Sequence, residues 1–404
     1  MYISFSRILF IIVLSSLYAC LEGYLLLCTL SCAITIKTGR KILLWVYWPL
    51  SLLGAGLYFY FHYLSGGIRS LFGLASSYWG LFIFIPFFVF ADIIIMGNFL
   101  VRRVWLHHQP ALRAAAEPSA AFNTILNRRV RITALVFAGL TLALGSLSAR
   151  YAKVAAYSVS VEKPLPEKGL RVILVSDMHI GAMVHKKQLS RLVSKINSLE
   201  GDLVLIAGDI IDRDLRVYKD ENLNEEFGRI NAAMGVFAVT GNHDYFGGNL
   251  EELGKQLAAA GVRLLVDEAV LVNNSFYVIG RNDFSSGRRG TGRESLKDLT
   301  RDIDNSLLLI AVDHQPVNLD EAVLCGIDLQ VSGHTHRGQI WPGLFFTRRI
   351  YDHDYGLLYR GKTAVVVTSG SGTWGPPVRI GTRAEIVCID LKNPGSYNAL
   401  KSGH

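Results

Sequence analysis

The sequence predicts an α/β domain that follows an all-α transmembrane region of about four helices. Long apolar stretches dominate residues 1–150, and the mean hydropathy of the whole chain is +0.31. Such a composition is typical of a chain with part of its length in lipid. From residue 171 onward, short apolar runs alternate with amphipathic helical patterns. This alternation is typical of α/β proteins.

Four apolar stretches are long enough to cross a bilayer, which takes about 20 helical residues. They are Ile8–Ile36, Ile42–Phe61, Leu71–Met96 and Val130–Leu147. Two carboxylates lie within them, Glu22 and Asp92. Intramembrane carboxylates can mark a transport pathway, but these two are isolated, so we interpret the region as an anchor rather than a transporter.

The distribution of basic residues predicts the topology. Residues 1–150 contain 12 Lys/Arg and 3 Asp/Glu, which leaves 29 and 30 for residues 151–404. Nine of the twelve lie in two loops on one side of the membrane, with Arg131 at the start of the fourth stretch counted among them, and the positive-inside tendency places that side in the cytoplasm. We therefore expect a multi-pass protein of the inner (plasma) membrane with its second half outside the cytoplasm. The balanced charge of that half argues against a nucleic-acid partner.

The predicted organisation has four parts. Residues 1–150 form the transmembrane region, 151–170 a linker with Pro164 and Pro166, 171–391 the folded domain, and 392–404 a C-terminal tail. The five cysteines show neither zinc-type spacing nor a disulfide framework. Cys388 lies in the apolar run 385–389, which we expect to be a buried strand.

Metal-binding residue types follow five predicted strands directly. The predicted strands are Arg171–Ser176, Leu203–Ala207, Val236–Thr240, Leu307–Val312 and Leu329–Ser332, and the predicted helices between them are Lys186–Leu199 and Leu250–Ala260. The clusters that follow the strands are Asp177-x-His179, Asp209-x-x-Asp212, Asn242-His243-Asp244, His314 and His334-Thr335-His336. Ligands bind at the carboxyl ends of strands in open α/β sheets, so we expect the clusters to converge on one rim. Glycines beside the clusters allow close backbone approach.

Carboxylate, imidazole and amide groups together suit Mn²⁺, Fe or Zn²⁺, and the sequence does not choose among them. A carboxylate can bridge two cations, because its charge is spread over two oxygens. Two adjacent cations lower the pKa of a shared water and stabilise both oxygens of an in-line displacement at phosphorus. The clusters therefore predict two divalent metal ions in a hydrolase of phosphate esters.

These motifs resemble those of the calcineurin-like metallophosphoesterases over residues 171–391. The shared motifs are S-D-M-H, G-D-I-I-D, G-N-H-D, D-H-Q-P and G-H-T-H. The segments G-R-N-D at 280–283, S-G-H-T-H-R-G-Q-I-W-P at 332–342 and S-G-S-G-T-W-G-P-P-V-R-I-G at 369–381 resemble the bacterial membrane-anchored, YkuE-like branch. The resemblance implies a four-layer αββα sandwich. It assigns Asp177, His179, Asp209 and His336 to one metal, and Asp209, Asn242, His314 and His334 to the other.

On this interpretation, a metal-bridging hydroxide attacks phosphorus and His243 protonates the leaving oxygen as a general acid. Asp244 would orient His243 through its other ring nitrogen. Asp212 would either orient the loop after Asp209 or take part in catalysis, and Asp313 would support a ligand.

Basic and aromatic residues also lie near the motifs. Arg337 would add positive charge at the rim of the site. Arg281, in a Gly/Ser-rich stretch with other arginines, would either contact a phosphate or lie in a solvated loop. For Trp341, Phe345 and Phe346, core packing is favoured over contact with lipid or substrate.

The predicted function is hydrolysis of a phosphodiester or phosphomonoester by a membrane-anchored enzyme. Its expected partners are the lipid bilayer and a small-molecule or lipid-linked phosphoester, such as an envelope component. Two alternatives remain open. One is hydrolysis of the pyrophosphate bond of a nucleotide-linked lipid precursor, which requires a cytoplasmic site. The other is a membrane receptor or scaffold without catalysis.

Overall fold

In the computed structural model, the described part of the chain is Ile93 and residues 120–394, except 167, 182–183, 213–214, 247–248 and 290–291. The chain divides into two compact units, Met1–Leu144 and Gly145–His404. The first three predicted spans lie outside the described residues, apart from Ile93.

The fourth predicted span lies in helix α1, Ala120–Arg150. Within the described residues, one helical segment, Asn127–Arg150, is long and apolar enough to cross a membrane by length and composition. Val136, Phe137 and Leu140 of this segment are each more than half exposed. Outward-facing apolar side chains of this kind fit a lipid environment better than water.

The second unit is built from twelve described strands and eight further helices. The strands are β1 (Lys153–Ser160), β2 (Leu170–Val175), β3 (Leu203–Ala207), β4 (Val236–Val239), β5 (Val262–Leu265), β6 (Glu268–Val272), β7 (Phe276–Gly280), β8 (Leu308–Val312), β9 (Leu329–Ser332), β10 (Gly356–Arg360), β11 (Thr363–Val367) and β12 (Glu385–Lys392). The helices are α2 (Lys186–Asn197), α3 (Arg216–Asp220), α4 (Leu223–Phe227), α5 (Asn242–Phe246), α6 (Leu250–Ala259), α7 (Leu296–Leu299), α8 (Leu319–Leu324) and α9 (Gly343–Ile350).

The strands form two six-stranded mixed sheets, in the orders β1-β12-β2-β3-β4-β5 and β10-β11-β9-β8-β7-β6. Strands β2 to β5 run parallel to one another, as do β7, β8, β9 and β11. The sheets pack face to face over one apolar core, which includes Leu174 and Leu205 of the first sheet and Ile310 and Val331 of the second. Parallel strands buried on both faces read as continuous apolar runs, and this explains why they could be predicted.

Helices cover the outer face of each sheet. On the first sheet, α2 buries Leu189, Val193 and Ile196, whose spacing places them on one helical face. On the second sheet, α7 and α8 bury Leu296 and Ala322. The predicted α/β sandwich with helices outside two sheets is confirmed. The five predicted strands that precede the clusters and the two predicted helices are present, with ends that differ by at most two residues, and the apolar run 385–389 lies in β12.

The predicted linker at 151–170 is not a linker throughout. Residues 153–160 form β1, which pairs in parallel with β12 from Lys153 opposite Glu385 to Ser160 opposite Lys392. Only Val159 of β1 is buried, because β1 lies at the edge of its sheet. An edge strand with one solvated face lacks a continuous run of apolar residues, and for this reason β1 was not predicted as a strand.

Candidate metal centre

The predicted ligands follow strands of both sheets at one edge. Asp177 follows β2, Asp209 follows β3 and Asn242 follows β4 in the first sheet, while His314 follows β8 and His334 follows β9 in the second. Neighbouring parallel strands end at the same edge, so these loops converge there. The structure brings all seven predicted ligands together between the two sheets.

Asp177, His179 and His336 form the first potential metal-binding group, and all three are buried. The Nε2 atoms of the two histidines are 3.0 Å apart. Asp177 Oδ1 lies 3.4 Å from His336 Nε2 and 4.0 Å from His179 Nε2. Donor atoms that face one another at these distances fit a shared cation, because nitrogen lone pairs otherwise repel.

The second group contains Asp209, His314 and His334. His314 Nε2 lies 3.1 Å from His334 Nδ1 and 3.2 Å from Asn242 Oδ1. His314 Nδ1 donates a hydrogen bond to the carbonyl oxygen of Ala207 at 2.8 Å. Since a carbonyl can only accept, Nε2 of neutral His314 carries the free lone pair and points at the other ligands.

Asp209 connects the two groups. Its Oδ2 atom lies 3.7 Å from His179 Nε2 and 3.3 Å from His314 Nε2. Its Oδ1 atom accepts a hydrogen bond from the backbone N–H of His243 at 2.8 Å, which fixes the carboxylate plane. One carboxylate oxygen therefore faces both groups, as the predicted bridging role requires.

Five of the predicted ligands have a left-handed backbone conformation. Asp177, His179, Asp209, His334 and His336 have φ values of 54°, 49°, 51°, 70° and 48°. Non-glycine residues in this region cost about 1–3 kcal/mol each and occur mainly at functional sites, where the surroundings hold them. The conformation turns each ligand sharply off the end of its strand toward the centre.

Two glycines make room for the carboxylates. A Cβ atom on Gly241 would clash with the Asp209 carboxylate and backbone, and one on Gly333 would clash with Ser176 and Asp177. Only glycine allows these two loops to lie so close to the ligands.

Burial keeps three of the predicted imidazole ligands neutral. Burial lowers the pKa of His179 and of His334 to about 4 each, and burial also lowers the pKa of His336 well below its usual value. These imidazoles are therefore neutral near pH 7, the form that coordinates cations. Burial also raises the pKa of Asp177, to about 6.

His314 and Asp209 have opposite shifts. Burial would lower the pKa of His314, but the charge and hydrogen bond of Asp209 raise it well above its usual value. Burial would raise the pKa of Asp209, but His314 and the other imidazoles lower it well below its usual range. The negative charge of Asp209 thus needs a positive partner, which a proton on His314 or a metal ion supplies.

His243 is oriented by Asp212, not by Asp244 as predicted. His243 Nδ1 lies 2.9 Å from both the backbone carbonyl oxygen and Oδ1 of Asp212. The Asp244 carboxylate instead accepts hydrogen bonds from the backbone N–H groups of Ile211 at 2.9 Å and Gly241 at 2.8 Å. Asp244 therefore holds two ligand loops together. The G-N-H-D motif does not indicate the contact between Asp212 and His243, because Asp212 lies in a different loop.

The His243 ring lies beside the first group. Its centroid is 4.6 Å from that of His179, and His243, His179 and Asp209 form a third potential metal-binding group. Burial would lower the pKa of His243, but the hydrogen bond to Asp212 and the charges of Asp209 and Asp212 raise it. The protonated form is thereby favoured, as a proton donor requires.

Arg281, predicted either to contact a phosphate or to lie in a solvated loop, is buried in the structure. Arg281 is 5% exposed, and its guanidinium contacts Glu321 Oε2 at 2.9 Å, the carbonyl oxygen of Glu294 at 3.1 Å and Asp313 Oδ2 at 3.6 Å. Arg293 also pairs with Asp313. Arg281 thus neutralises buried carboxylates. The prediction failed because Glu321 lies far away in the sequence.

Arg337, in contrast, lies partly exposed beside His336. Its guanidinium carbon is 4.0 Å from the centre of the Tyr355 ring, a cation–π contact. The Tyr355 hydroxyl donates a hydrogen bond to Glu385 Oε2 at 2.9 Å. The Tyr355 ring therefore fixes the guanidinium of Arg337, the residue that follows the predicted ligand His336.

Two further residues at the centre were missed in the sequence. Arg379 is fully buried, and its Nη2 atom lies 3.2 Å from His336 Nδ1 while donating to the carbonyl oxygens of Ser369 and Gly372 at 2.7 and 2.6 Å. The Tyr351 ring packs edge-on against His334, with centroids 5.9 Å apart. Arg379 lies in the 369–381 segment that carried the resemblance.

Comparison with known proteins identifies the family of this chain. The family model for calcineurin-like phosphoesterase matches residues 170–338. The "Uncharacterized metallophosphoesterase" of Aquifex aeolicus is 30% identical over 259 residues, which cover 63% of this chain and 97% of that protein. This chain belongs to the calcineurin-like metallophosphoesterase family.

Other metallophosphoesterases are longer than the matched region. A metallophosphoesterase of Campylobacter jejuni is 34% identical over 239 residues, covering 58% of this chain and 62% of that protein. The Danio rerio "Transmembrane protein with metallophosphoesterase domain" is 32% identical over 281 residues, covering 65% of this chain and 63% of that protein. The chain thus spans less than two thirds of these two relatives.

The predicted resemblance to YkuE is confirmed. The metallophosphoesterase YkuE of Bacillus subtilis is 26% identical over 237 residues, which cover 56% of this chain and 80% of that protein.

Proposed function

We propose that this metallophosphoesterase is a membrane-attached hydrolase of phosphodiester or phosphomonoester bonds that uses two divalent metal ions. The observation that supports the proposal is the position of Asp209. Its Oδ2 atom faces His179 of one potential metal-binding group and His314 of the other, at 3.7 and 3.3 Å. A shared carboxylate between two such groups is the arrangement that two-metal phosphoester hydrolysis needs.

The ligands divide into two sets. Asp177, His179, Asp209 and His336 would hold one ion, and Asp209, Asn242, His314 and His334 the other. Bound ions would lower the pKa of a water and offset the charge of the phosphoryl oxygens. The mixed oxygen and nitrogen donors suit Mn²⁺, Fe or Zn²⁺.

His243 is the candidate general acid. Asp212 fixes its Nδ1 atom and raises its pKa, so Nε2 carries the proton that a leaving oxygen needs. Arg337 at the rim is the candidate substrate contact, because its guanidinium can pair with phosphate oxygens while it stacks on Tyr355.

The membrane attachment rests on the apolar segment Asn127–Arg150 of α1. The name of the Danio rerio relative is consistent with it. The basic loops predicted for residues 1–150 favour a multi-pass anchor with the metal centre outside the cytoplasm. Attachment next to lipid favours a lipid-linked or envelope phosphoester as the substrate. Protease treatment of intact cells should cleave the second unit. Cleavage only after lysis would put the unit in the cytoplasm.

Metal stoichiometry and hydrolysis test the proposal together. The detergent-purified full chain, freed of metal and then titrated with Mn²⁺, Fe²⁺ or Zn²⁺, should bind two ions and hydrolyse bis(p-nitrophenyl) phosphate or p-nitrophenyl phosphate. Asp209→Asn should weaken both sites, whereas His336→Ala should weaken one. His243→Ala should retain both ions but lose activity, by about 100- to 10,000-fold.

Other outcomes would contradict the proposal. Wild-type rates in His243→Ala or Asp209→Asn would remove those residues from the reaction. Two bound ions without hydrolysis of any phosphoester would favour the scaffold alternative. Activity restricted to pyrophosphate bonds of nucleotide-linked lipids, with the second unit inside the cytoplasm, would favour the other alternative.

A further inference from the structure

Helix α9 exposes apolar side chains directly beside the metal centre. It begins seven residues after His336, and none of the side chains of this fully described helix is buried. Phe345, Phe346 and Ile350 are 58%, 65% and 70% exposed. Trp341, just before the helix, is 57% exposed. The prediction that Trp341, Phe345 and Phe346 pack in the core is therefore wrong. We call Trp341, Phe345, Phe346 and Ile350 the apolar lip.

Hydrogen bonds of the backbone and of neighbouring residues hold the apolar lip in place, while its own side chains stay exposed. The Trp341 backbone N–H donates to the Ile380 carbonyl oxygen at 2.8 Å. Near the other end of α9, the Thr347 hydroxyl donates to Asp354 Oδ2 at 2.7 Å, and Thr335, between the ligands, donates to the Asp354 carbonyl oxygen at 2.8 Å. The residue after α9, Tyr351, contacts His334. The exposure is therefore built into the fold, and contiguous exposed apolar side chains usually mark an interaction site.

The last residues of α1, which belong to the second unit, contact the segment that holds the apolar lip. Gly145 of α1 accepts a hydrogen bond from the Arg379 backbone N–H at 3.0 Å, and the next residue, Ile380, binds Trp341. Leu147, in the last turns of α1, is half exposed. Residues 379–380 thus connect the end of the apolar segment of α1 to the apolar lip.

The charges on α9 fit an anionic lipid surface. Arg348 and Arg349 are exposed, and α9 contains no acidic residue. Along the helix, Arg349 falls between Phe345 and Phe346, whereas Thr347 faces inward. Aromatic and basic side chains on one short helix are typical of segments that lie in the membrane interface, with the rings among the acyl chains and the cations at the headgroups.

We propose that the apolar lip inserts at the boundary between the headgroups and the acyl chains of an anionic bilayer, the one that α1 would cross, and so holds the metal centre at the level of lipid headgroups. The proposal rests on the membrane attachment proposed above. It adds a second contact with the membrane, made by the catalytic unit itself, and favours a phosphoester headgroup as the substrate.

Two variants that each add one tryptophan test this inference. Phe346→Trp places the probe on the apolar lip. Leu324→Trp is the matched control, because Leu324 is 86% exposed but ends α8 just before β9 begins, at the sheet edge opposite the metal centre. Each full-length variant is reconstituted into phosphatidylcholine/phosphatidylglycerol vesicles with or without brominated acyl chains. Subtraction of the wild-type spectrum isolates the added fluorophore.

We expect blue-shifted emission and strong bromine quenching at position 346, with red-shifted, unquenched emission at position 324. Unquenched, red-shifted emission at 346 would overturn the proposal. Blue-shifted emission at 346 without quenching would also overturn it, because a protein surface such as a second copy would then cover the lip. Quenching at both positions would indicate non-specific adsorption, a third contrary result. The readout requires no hydrolysis, and a chain that fails to float with the vesicles would instead contradict the membrane attachment.

A separate experiment tests whether Arg348 and Arg349 contribute to binding of the anionic bilayer. In the Phe346→Trp chain, the pair Arg348→Gln and Arg349→Gln should reduce quenching in vesicles with phosphatidylglycerol more than in phosphatidylcholine alone. Lys362→Gln, at an exposed lysine between β10 and β11, should leave quenching unchanged. Equal effects of the arginine pair in both lipids would refute recognition of anionic lipid.

Discussion

Asp212 Oδ1 lies 2.9 Å from His243 Nδ1, and the Asp212 carbonyl oxygen lies at the same distance. Asp212 follows Asp209 by three residues, so one loop carries both the carboxylate that faces the two potential metal-binding groups and the residue that positions the proposed acid. The two functions are thereby fixed relative to each other, because a shift of this loop would move both groups. Asp244, next to His243 in the sequence, stabilises the backbone instead.

Asp212→Ala and Asp244→Ala should therefore have different effects. Asp212→Ala should lower kcat by about 10- to 100-fold, with two metal ions retained and Tm little changed, because it removes the partner that orients His243. Asp244→Ala should lower Tm, because two buried N–H groups lose their acceptor at a cost of about 1–3 kcal/mol each. Steady-state kinetics, metal analysis and thermal unfolding measure these effects. An unchanged Tm in Asp244→Ala with a large loss of kcat would restore the role first predicted for Asp244.

The close approach of Gly241 to Asp209 predicts the effect of adding one methyl group. Gly241→Ala should displace the Asp209 carboxylate, lower the affinity for both metal ions and destabilise the fold by about 1–3 kcal/mol, as overpacking does. Gly254→Ala is the matched control. A Cβ on Gly254, inside α6, would meet only Leu264 at 3.6 Å. That change should stabilise the helix by about 0.5–1 kcal/mol. Calorimetric Mn²⁺ titration and thermal unfolding distinguish the two, and full metal affinity in Gly241→Ala would refute this account of the loop.

Much of the centre could be predicted because its ligands follow buried parallel strands, whose apolar runs are strong signals. The roles of residues whose partners lie far away in the sequence were harder to predict. Arg281 resembled a loop cation because Gly and Ser surround it, yet it neutralises Glu321 and Asp313. Trp341, Phe345 and Phe346 of the apolar lip were predicted to be core because aromatic residues are usually buried. The sequence gives the type of each residue in α9. Which face of the helix is buried depends on the elements that pack against it in the folded protein.

Arg281 and Arg337 should respond differently to loss of charge. Arg281→Met should destabilise the fold by about 3–5 kcal/mol, because buried carboxylates lose a cation. Arg337→Met should leave Tm nearly unchanged and raise KM for bis(p-nitrophenyl) phosphate, because its side chain lies partly exposed at the rim. Thermal unfolding and initial-rate kinetics on the metal-loaded chain measure both changes. A raised KM in Arg281→Met at an unchanged Tm would support the phosphate contact originally predicted for that residue.

Arg379 should control the first metal site, although it is not a ligand. Its guanidinium contacts His336 Nδ1 and the carbonyl oxygens of Ser369 and Gly372, while Gly370 and Gly372 lie against Asp177. A lysine has one ammonium group and cannot match this planar set of contacts, although it keeps the charge. Arg379→Lys should therefore weaken one metal site by about 10- to 100-fold and leave the other nearly unchanged.

Arg383→Lys is the control, because the Arg383 side chain is exposed and only its carbonyl oxygen accepts hydrogen bonds from Arg379 and Ser369. Calorimetric titration of the metal-free full chain should resolve one weakened site in Arg379→Lys and two normal sites in Arg383→Lys. Equal affinities at both sites in the two variants would mean that the 369–372 loop holds Asp177 and His336 without help from Arg379. Equal weakening of both sites in Arg379→Lys would instead indicate general destabilisation, which a lower Tm would reveal.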